Sequence, residues 1–311
     1  MKLAVYGAGG VGGFFGGKLA RAGADVCFIA RGSHLRALQA RGLRVASVDG
    51  DFVLDRVAVT DDPGQVGACD YVLVAVKSYH TDQVAAGLAP LLHENTAVVS
   101  LQNGVDNEEK LAAAAGEERV VGGAAYIFAN ISQPGVIEHT GGPATIVVGE
   151  WRGGRSERVS ALVSACQAAG FGAEQSGDIR AALWTKFAFI CALAGTTAAI
   201  RLPIGEIRAA PASRELFRRI AAAVCEVARA EGVGLPADLP DRHLALADGL
   251  EFGSYSSLHH DLTHGNAMEL EALLGEVVRR GTRASVATPM SEALYAILQP
   301  WQLRNRQSAA V

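Results

Sequence analysis

The stretch Lys2-Leu3-Ala4-Val5-Tyr6-Gly7-Ala8-Gly9-Gly10-Val11-Gly12 decides how the first half of the chain is read. Lys2 to Tyr6 has the texture of a short buried strand, and the G-x-G-x-x-G spacing of Gly7, Gly9 and Gly12 falls where a strand hands over to a helix. Gly7 permits the tight turn, Gly9 lets backbone amides approach a pyrophosphate, and Gly12 lets the helix lie close to the sheet. Ala8, Gly10 and Val11 complete a loop whose bound anion sits on the helix N-terminus. Gly10, Gly12, Gly13, Gly16 and Gly17 each cost about 0.5–1 kcal/mol against alanine in a helix, so five of them predict close backbone approach there. Gly23 is placed to stop the helix.

The second strand, Val26 to Ala30, ends in Ala30-Arg31-Gly32-Ser33. An NAD site puts a carboxylate near this point, about 20 residues past the glycines, to bind the ribose 2′-hydroxyl. Here a guanidinium stands instead, and its fork suits a 2′-phosphate. The reading is NADP(H) over NAD, against the alternative that Arg31 is a solvated loop residue ahead of a helix capped by Ser33.

At 311 residues the chain is long enough for two domains. Half the residues are hydrophobic and the formal net charge is −4 without a basic stripe, which argues against nucleic acid and anionic membrane as partners. Cys27, Cys69, Cys166, Cys191 and Cys225 form no C-x-x-C pair and lie mostly in apolar runs, as expected of reduced thiols in a cytoplasmic protein. No signal peptide is expected, because the N-terminus enters a strand at once. Between Ala181 and Ile200 the only charge is Lys186. The segment is too weakly hydrophobic for a membrane span, and a central lysine costs about 2.5–3.5 kcal/mol on insertion.

Further along, Leu43 to Val48 and Asp51 to Val57 are expected to pair across Asp49-Gly50 in a type I′ hairpin at the margin of the sheet. Tyr71 to Val76 and Thr96 to Leu101 are apolar runs typical of central parallel strands. They end at Lys77 and at Gln102-Asn103-Gly104, the strand ends where open α/β sheets bind ligands. Val136 to Glu138 and Ala144 to Gly149 read as antiparallel additions, followed by a helix from about Ser156 to Ala169 and a strand near Phe171 to Gln175. Past Gly177 helical periodicity takes over. The expected fold is α/β: a Rossmann dinucleotide-binding domain over residues 1–176 and an all-helical domain over 177–311, with an active cleft between them.

Lys186 is the sharpest catalytic candidate. A lone ammonium in an apolar helix is partly desolvated, which brings it toward the range useful for proton transfer to a forming alkoxide. The competing reading is a lysine that snorkels to water over Trp184 and Phe187. Glu269 fits the start of a helix as N3 of a capping box opened by Asn266. His260 and His264 imitate a zinc helix, but the acid between them is Asp261, Gly265 follows at once and no third ligand is indicated, so no metal is expected.

With these residues in hand, the chain resembles the ketopantoate reductase (2-dehydropantoate 2-reductase) family over nearly its whole length. The resemblance is carried by Gly7 to Gly12, Arg31, Ala75-Val76-Lys77, Gln102-Asn103-Gly104, Leu183-Trp184-Thr185-Lys186-Phe187, Pro203-Ile204-Gly205-Glu206 and Ser256-Ser257-Leu258 followed by Glu269. It implies a helical domain like that of 6-phosphogluconate dehydrogenase and NADPH-dependent reduction of a small-molecule 2-oxo acid, ketopantoate to pantoate in pantothenate biosynthesis. By the same likeness Lys186 donates the proton, Asn103 lies between nicotinamide and substrate, Lys77 lies beside the cofactor, Ser257 binds substrate, and Glu269 hydrogen-bonds within the cleft, as a cofactor contact in some descriptions.

Three positions depart from the family pattern. Asparagines are usual four and eight residues after the lysine and one before Gly205; here they are Ile190, Ala194 and Ile204. A pocket that loses polar donors discriminates poorly against substrates lacking the matching groups. A D-2-hydroxy acid dehydrogenase for a bulkier apolar 2-oxo acid therefore stands beside the pantoate reading, as does a non-catalytic NADP-binding sensor. Monomer and homodimer both remain open.

Overall fold

The computed structural model describes residues 1–308. The chain divides into two compact units, Met1–Gln102 with Asn107–Ala182, and Asn103–Asp106 with Leu183 onward.

The first unit is built on one ten-stranded sheet. Its strands are β1 (Lys2–Tyr6), β2 (Asp25–Ile29), β3 (Leu43–Ser47), β4 (Phe52–Leu54), β5 (Ala58–Thr60), β6 (Tyr71–Val74), β7 (Ala97–Ser100), β8 (Val120–Gln133), β9 (Val136–Glu150) and β10 (Gly172–Gln175). The order is β4-β3-β9-β8-β7-β6-β1-β2-β5, with β10 added beside β9. Five helices accompany it: α1 (Gly10–Arg21), α2 (Gly32–Arg41), α3 (Thr81–Ala86), α4 (Asn107–Ala115) and α5 (Glu157–Ala168). The period-2 alternation of β1 sorts its side chains between two cores. Leu3 and Val5 join Phe14, Phe15 and Leu19 of α1 and Leu162 of α5, whereas Ala4 and Tyr6 join Val72, Val74, Val84, Val98 and Leu111. Both faces of β1 and β6 are thus covered, as continuous apolar runs require.

Several local expectations change. The Leu43 hairpin is present at the sheet margin, but its turn is closed by Gly50 N donating to Ser47 O at 2.9 Å, and neither Val48 nor Asp49 has positive φ. Only Gly50 does, at +110°, so the turn is not type I′. Its second arm stops at Leu54, and Ala58–Thr60 pairs in parallel with β2 at the opposite edge. The two short runs after Pro134 are one strand, β9, antiparallel to β8 and parallel to β3 and β10. β8 was not anticipated: Gly122 and Gly123 dilute its apolar signal, and its far half is half-buried or exposed. Gly123 is there because a Cβ would lie 2.5 Å from the Ser100 carbonyl oxygen.

The second unit contains only helices and loops among the described residues. α6 (Ile179–Ile200) opens in the first unit and continues here, followed by α7 (Ile204–Ala209), α8 (Pro211–Ala230), α9 (Leu239–Asp248), α10 (Ser257–Thr263), a π-helical turn (Glu271–Gly275), α11 (Glu276–Ala284) and α12 (Pro289–Ser308). α6 is the one described helix long and apolar enough to cross a membrane, yet 67% of its most apolar window is buried inside the protein. Its apolar length is accounted for by packing. α8 buries Phe217, Ile220, Ala221, Val224 and Ala228, the stripe of an amphipathic helix. The five cysteines are free thiols; Cys27 is half-buried and the others are buried, with burial pushing Cys166 up to about 12 and Cys225 to about 11.

His243 of α9 is 5% exposed, its ring 5.6 Å from that of Phe189, and burial lowers its pKa to about 4 from 6.5. Between those values the unfolded chain binds a proton that the folded chain does not, so this residue withdraws stability as pH falls from 6.5 toward 4. The His243→Phe variant should therefore lose less Tm than the wild type between pH 7 and pH 5. Parallel slopes in thermal melts would refute this role.

Candidate active site

The glycine-rich loop forms where β1 ends. Gly7 has φ +105°, and a Cβ there would lie 2.8 Å from Val76 N. α1 begins at Gly10 with Gly9 as its N-cap, and Gly13 N donates to Gly9 O. The amides of Gly10, Val11 and Gly12 precede any intrahelical acceptor, so they face out of the helix end as anion donors. The glycines divide by environment. A Cβ at Gly10 would lie 2.1 Å from Ala129 O, at Gly12 2.0 Å from Gly7 O, and at Gly13 2.6 Å from Ile137 Cγ1, whereas at Gly9 it would meet nothing within 4 Å. Gly10 and Gly12 thus answer to backbone approach, and Gly9 to open space over the donors. Gly23, at φ +93°, follows the helix C-cap Ala22 as expected.

Arg31 sits at the end of β2 and is exposed, its Nη1 donating to Gln83 Oε1 at 2.7 Å. The first bond of α2 runs from Leu35 N to Arg31 O, so Arg31 rather than Ser33 is the N-cap. Gly32, at φ +58°, absorbs the turn that a Ser33 cap was expected to begin. His34, buried one turn in, accepts from Gly135 N at 3.1 Å and ties α2 to the β8–β9 turn.

Lys77 is half-buried three residues past the end of β6, as N-cap of a 3-10 turn over Ser78–His80. A buried polar network fixes this strand end to the next. Gln102 Nε2 donates to Val76 O at 3.1 Å and to Thr81 Oγ1 at 2.8 Å, and Thr81 Oγ1 meets Asn107 Oδ1 at 2.8 Å. Gln102, part of the Gln102-Asn103-Gly104 motif, is thus the strut between the segments that follow β6 and β7.

In the second unit the Lys186 Nζ donates to Asn103 Oδ1 at 2.9 Å. Lys186 is half-buried on α6, and its helix neighbours Trp184 and Phe187 meet edge to face at 5.5 Å. The pair lies 83 residues apart in sequence, and nothing in local patterning predicts the contact.

Glu269 is 6% exposed, and the capping box expected around it does not form. Residues 266–269 are not helical; helical bonding starts with Leu273 N to Glu269 O and widens at once to Gly275 N to Leu270 O. The reason is competition from α12. Gln302 accepts from Met268 N and donates to Met268 O, both at 2.9 Å, and Asn305 Nδ2 donates to Asn266 O at 2.9 Å. These amides hold the segment extended and so fix the backbone beside Glu269. Gln302 and Asn305 carried no signal in the sequence beyond two polar residues near the end of a helix.

Ser257 is the exposed first residue of α10, and the cap is its neighbour Ser256, which accepts from His259 N and Thr197 Oγ1. Ile190 is half-buried one turn after Lys186, while Ala194 and Ile204 are 2% and 1% exposed. His260 and His264 stack at 4.0 Å, and among the described residues no group of three or more His, Cys, Asp or Glu side chains is arranged to hold a metal.

A family model described as "Ketopantoate reductase PanE/ApbA" matches residues 3–153, and one described as "Ketopantoate reductase PanE/ApbA C terminal" matches residues 178–302. The 2-dehydropantoate 2-reductase of Mesorhizobium japonicum is 32% identical over 326 residues, covering 96% of this chain and 97% of that relative. The uncharacterized oxidoreductase YkpB of Bacillus subtilis is 33% identical over 302 residues, covering 97% and 99%. The crystal structure of a PanE/ApbA family ketopantoate reductase from Ralstonia eutropha JMP134 superposes with a TM-score of 0.90 at 33% identity, covering 98% of this chain and all of that one. Fold and relatives together define an oxidoreductase with a dinucleotide-type sheet and a helical second part. The chain belongs to the ketopantoate reductase PanE/ApbA family, the family its sequence motifs resemble.

The glycine geometry yields a direct contrast. Gly12→Ala, which drives a methyl into backbone, should lower Tm by several degrees; Gly9→Ala, at φ −73° with open space beyond, should leave Tm unchanged. Equal thermal shifts in the two variants would overturn the division.

Proposed function

We propose that the protein is an NADPH-dependent 2-oxo acid reductase that converts 2-dehydropantoate to pantoate, with Lys186 as proton donor. The observation that carries the reading is the 2.9 Å bond from Lys186 to Asn103. It points a half-buried ammonium from an apolar helix toward the end of the loop that follows a central strand. Residues 1–176 serve as the cofactor part and 177–311 as the catalytic part, and the free thiols suit a cytoplasmic setting.

The site fits a dinucleotide on its own geometry, since the α1 amides and the open space at Gly9 form a cradle for a pyrophosphate. Gly7 to Gly12 would hold the phosphates, Arg31 the 2′-phosphate, and Lys77 and Asn103 the nicotinamide end. When bound, the reduced cofactor supplies the hydride. Lys186 donates its proton to the substrate oxygen as negative charge builds there, with Asn103 fixing the direction of the ammonium. Ser257 binds the substrate. Glu269, buried on a braced backbone, hydrogen-bonds within the site.

A second reading is favoured by Ile190. One helical turn from Lys186 the chain offers a branched hydrocarbon where an amide is usual, which suits a 2-oxo acid with a bulkier apolar side chain.

Steady-state rates with ketopantoate, 2-oxoisovalerate and benzoylformate separate the two, and Lys186→Ala should cost about 10²–10⁴ in kcat on the preferred acid. Turnover of another acid without turnover of ketopantoate would remove the pantoate assignment. An unimpaired Lys186→Ala would remove the reductase, leaving a nucleotide binder.

Arg31→Ala should reduce the NADPH over NADH preference in kcat/KM by about 10- to 100-fold, the worth of a charge-assisted hydrogen bond or two. An unchanged ratio would return Arg31 to the role of a solvated helix cap.

A further inference from the structure

We propose that Arg280 is a positioning residue for the Lys186–Asn103 pair, acting through the backbone that carries Asn103 and the aromatic ring that precedes Lys186. The inference rests on the reading of Lys186 as proton donor.

Arg280 lies on α11 and is 4% exposed. Its guanidinium reaches three separate places. Nε donates to Glu276 Oε1 at 2.6 Å one turn back on the same helix, Nη1 donates to Glu231 Oε2 at 2.6 Å at the C-cap of α8, and Nη2 donates to Val105 O at 3.3 Å. The guanidinium carbon also lies 5.8 Å from the centre of the Trp184 ring. Val105 stands two residues after Asn103, with Gly104 between them at φ +114°, and Trp184 stands two residues before Lys186. Both ends of the lysine–asparagine bond are therefore within two residues of a contact with one buried cation.

The charge arrangement shows what this cation does beyond filling space. A buried ion pair adds little stability over well-packed hydrocarbon, so burial alone gives no reason for a guanidinium here. Glu276 is shared with Arg279 at 2.8 Å and Arg283 at 3.7 Å, so that carboxylate is compensated from outside as well. What hydrocarbon cannot do is donate to a loop carbonyl, and what lysine cannot do is serve three acceptors in fixed, coplanar directions. Residues 103–106 group with the helical unit although their chain neighbours on both sides belong to the sheet unit. The Nη2 bond to Val105 is one of the contacts that hold them there. Asn103 is thereby placed by the same unit that carries Lys186.

The test uses the full chain, its preferred 2-oxo acid and nicotinamide coenzyme deuterated at the transferring C4 position. Arg280→Lys keeps a charge beside Glu276 and loses the fork. Its kcat should fall about tenfold or more, with KM and coenzyme Kd moving less than about threefold, and the primary isotope effect on kcat should rise. Glu231→Gln, at a partly exposed position, should show the same pattern with a fall in kcat of about threefold or more. A folded Arg280→Lys with kcat within about twofold of wild type, or one whose loss is matched by lost coenzyme affinity, overturns the proposal. Should Arg280→Lys fail to fold, Glu231→Gln decides alone, and a wild-type kcat and isotope effect there overturn it. An inactive Lys186→Ala beside an unimpaired Arg280→Lys removes only the positioning role, whereas an active Lys186→Ala removes the reading beneath it.

Discussion

The bond between the Lys186 ammonium and the Asn103 amide oxygen is the constraint around which the helical unit is arranged. An ammonium is a compact point charge on a flexible stem, so its direction must be supplied from outside. Asn103 supplies one direction and adds no counter-charge, which orients the donor without neutralising it. Lys186 is half-buried, and partial desolvation strengthens any charge interaction it makes. The surrounding elements serve to keep this pair in register. Gln102 locks the strand end that precedes Asn103, and Gln302 and Asn305 straighten the backbone beside Glu269.

The glycine-rich loop obeys a different physics, that of volume. Its glycines are not interchangeable, because each answers to a different neighbour. Gly7 turns the chain against Val76, Gly10 and Gly12 lie against backbone oxygens, and Gly9 faces open space. The helix accepts the entropic cost of its glycines because the sheet, the β8 backbone and α1 approach more closely than a Cβ allows. Phe14, Phe15 and Leu19 on the buried face return stability through packing with Leu3, Val5 and Phe28.

What was legible in the sequence divides along these lines. Local signals were enough for β1, the glycine turn and the central strands, because steric rules and apolar runs act over a few residues. β8 escaped because its glycines and polar outer half hide the period that its long antiparallel pairing with β9 imposes. The Asn266 capping box failed for the opposite reason: the local signal was real, but two amides of α12, more than 30 residues away, satisfy the same backbone groups in an extended form. Ser33 lost its cap to Arg31 because Gly32 could take a left-handed φ. The bracing roles of Gln102, Gln302 and Arg280 could not be read locally, since a buried polar strut is defined by partners that only the fold brings near.

The face of α6 that carries Lys186 shows how far chemistry and selectivity come apart. Residues 186, 190, 193 and 197 follow one another along one side of the helix. After the lysine this side offers Ile190 and Leu193, and its next polar group, Thr197, is engaged at 2.7 Å with Ser256, the cap of α10. That hydroxyl is therefore part of the support for Ser257 and is not available as a donor in its own right. In the proposed reading, proton donation needs only the ammonium and the amide that aims it. Recognition of a substrate hydroxyl needs a further polar group within reach, and the positions one and two turns beyond the lysine hold Ile190 and Ala194. A site of this kind rejects a missing hydroxyl weakly and an unmatched one at the cost of desolvating it. In the proposed reading, substrate choice thus falls to the apolar side of α6 and the reaction to the Lys186–Asn103 bond.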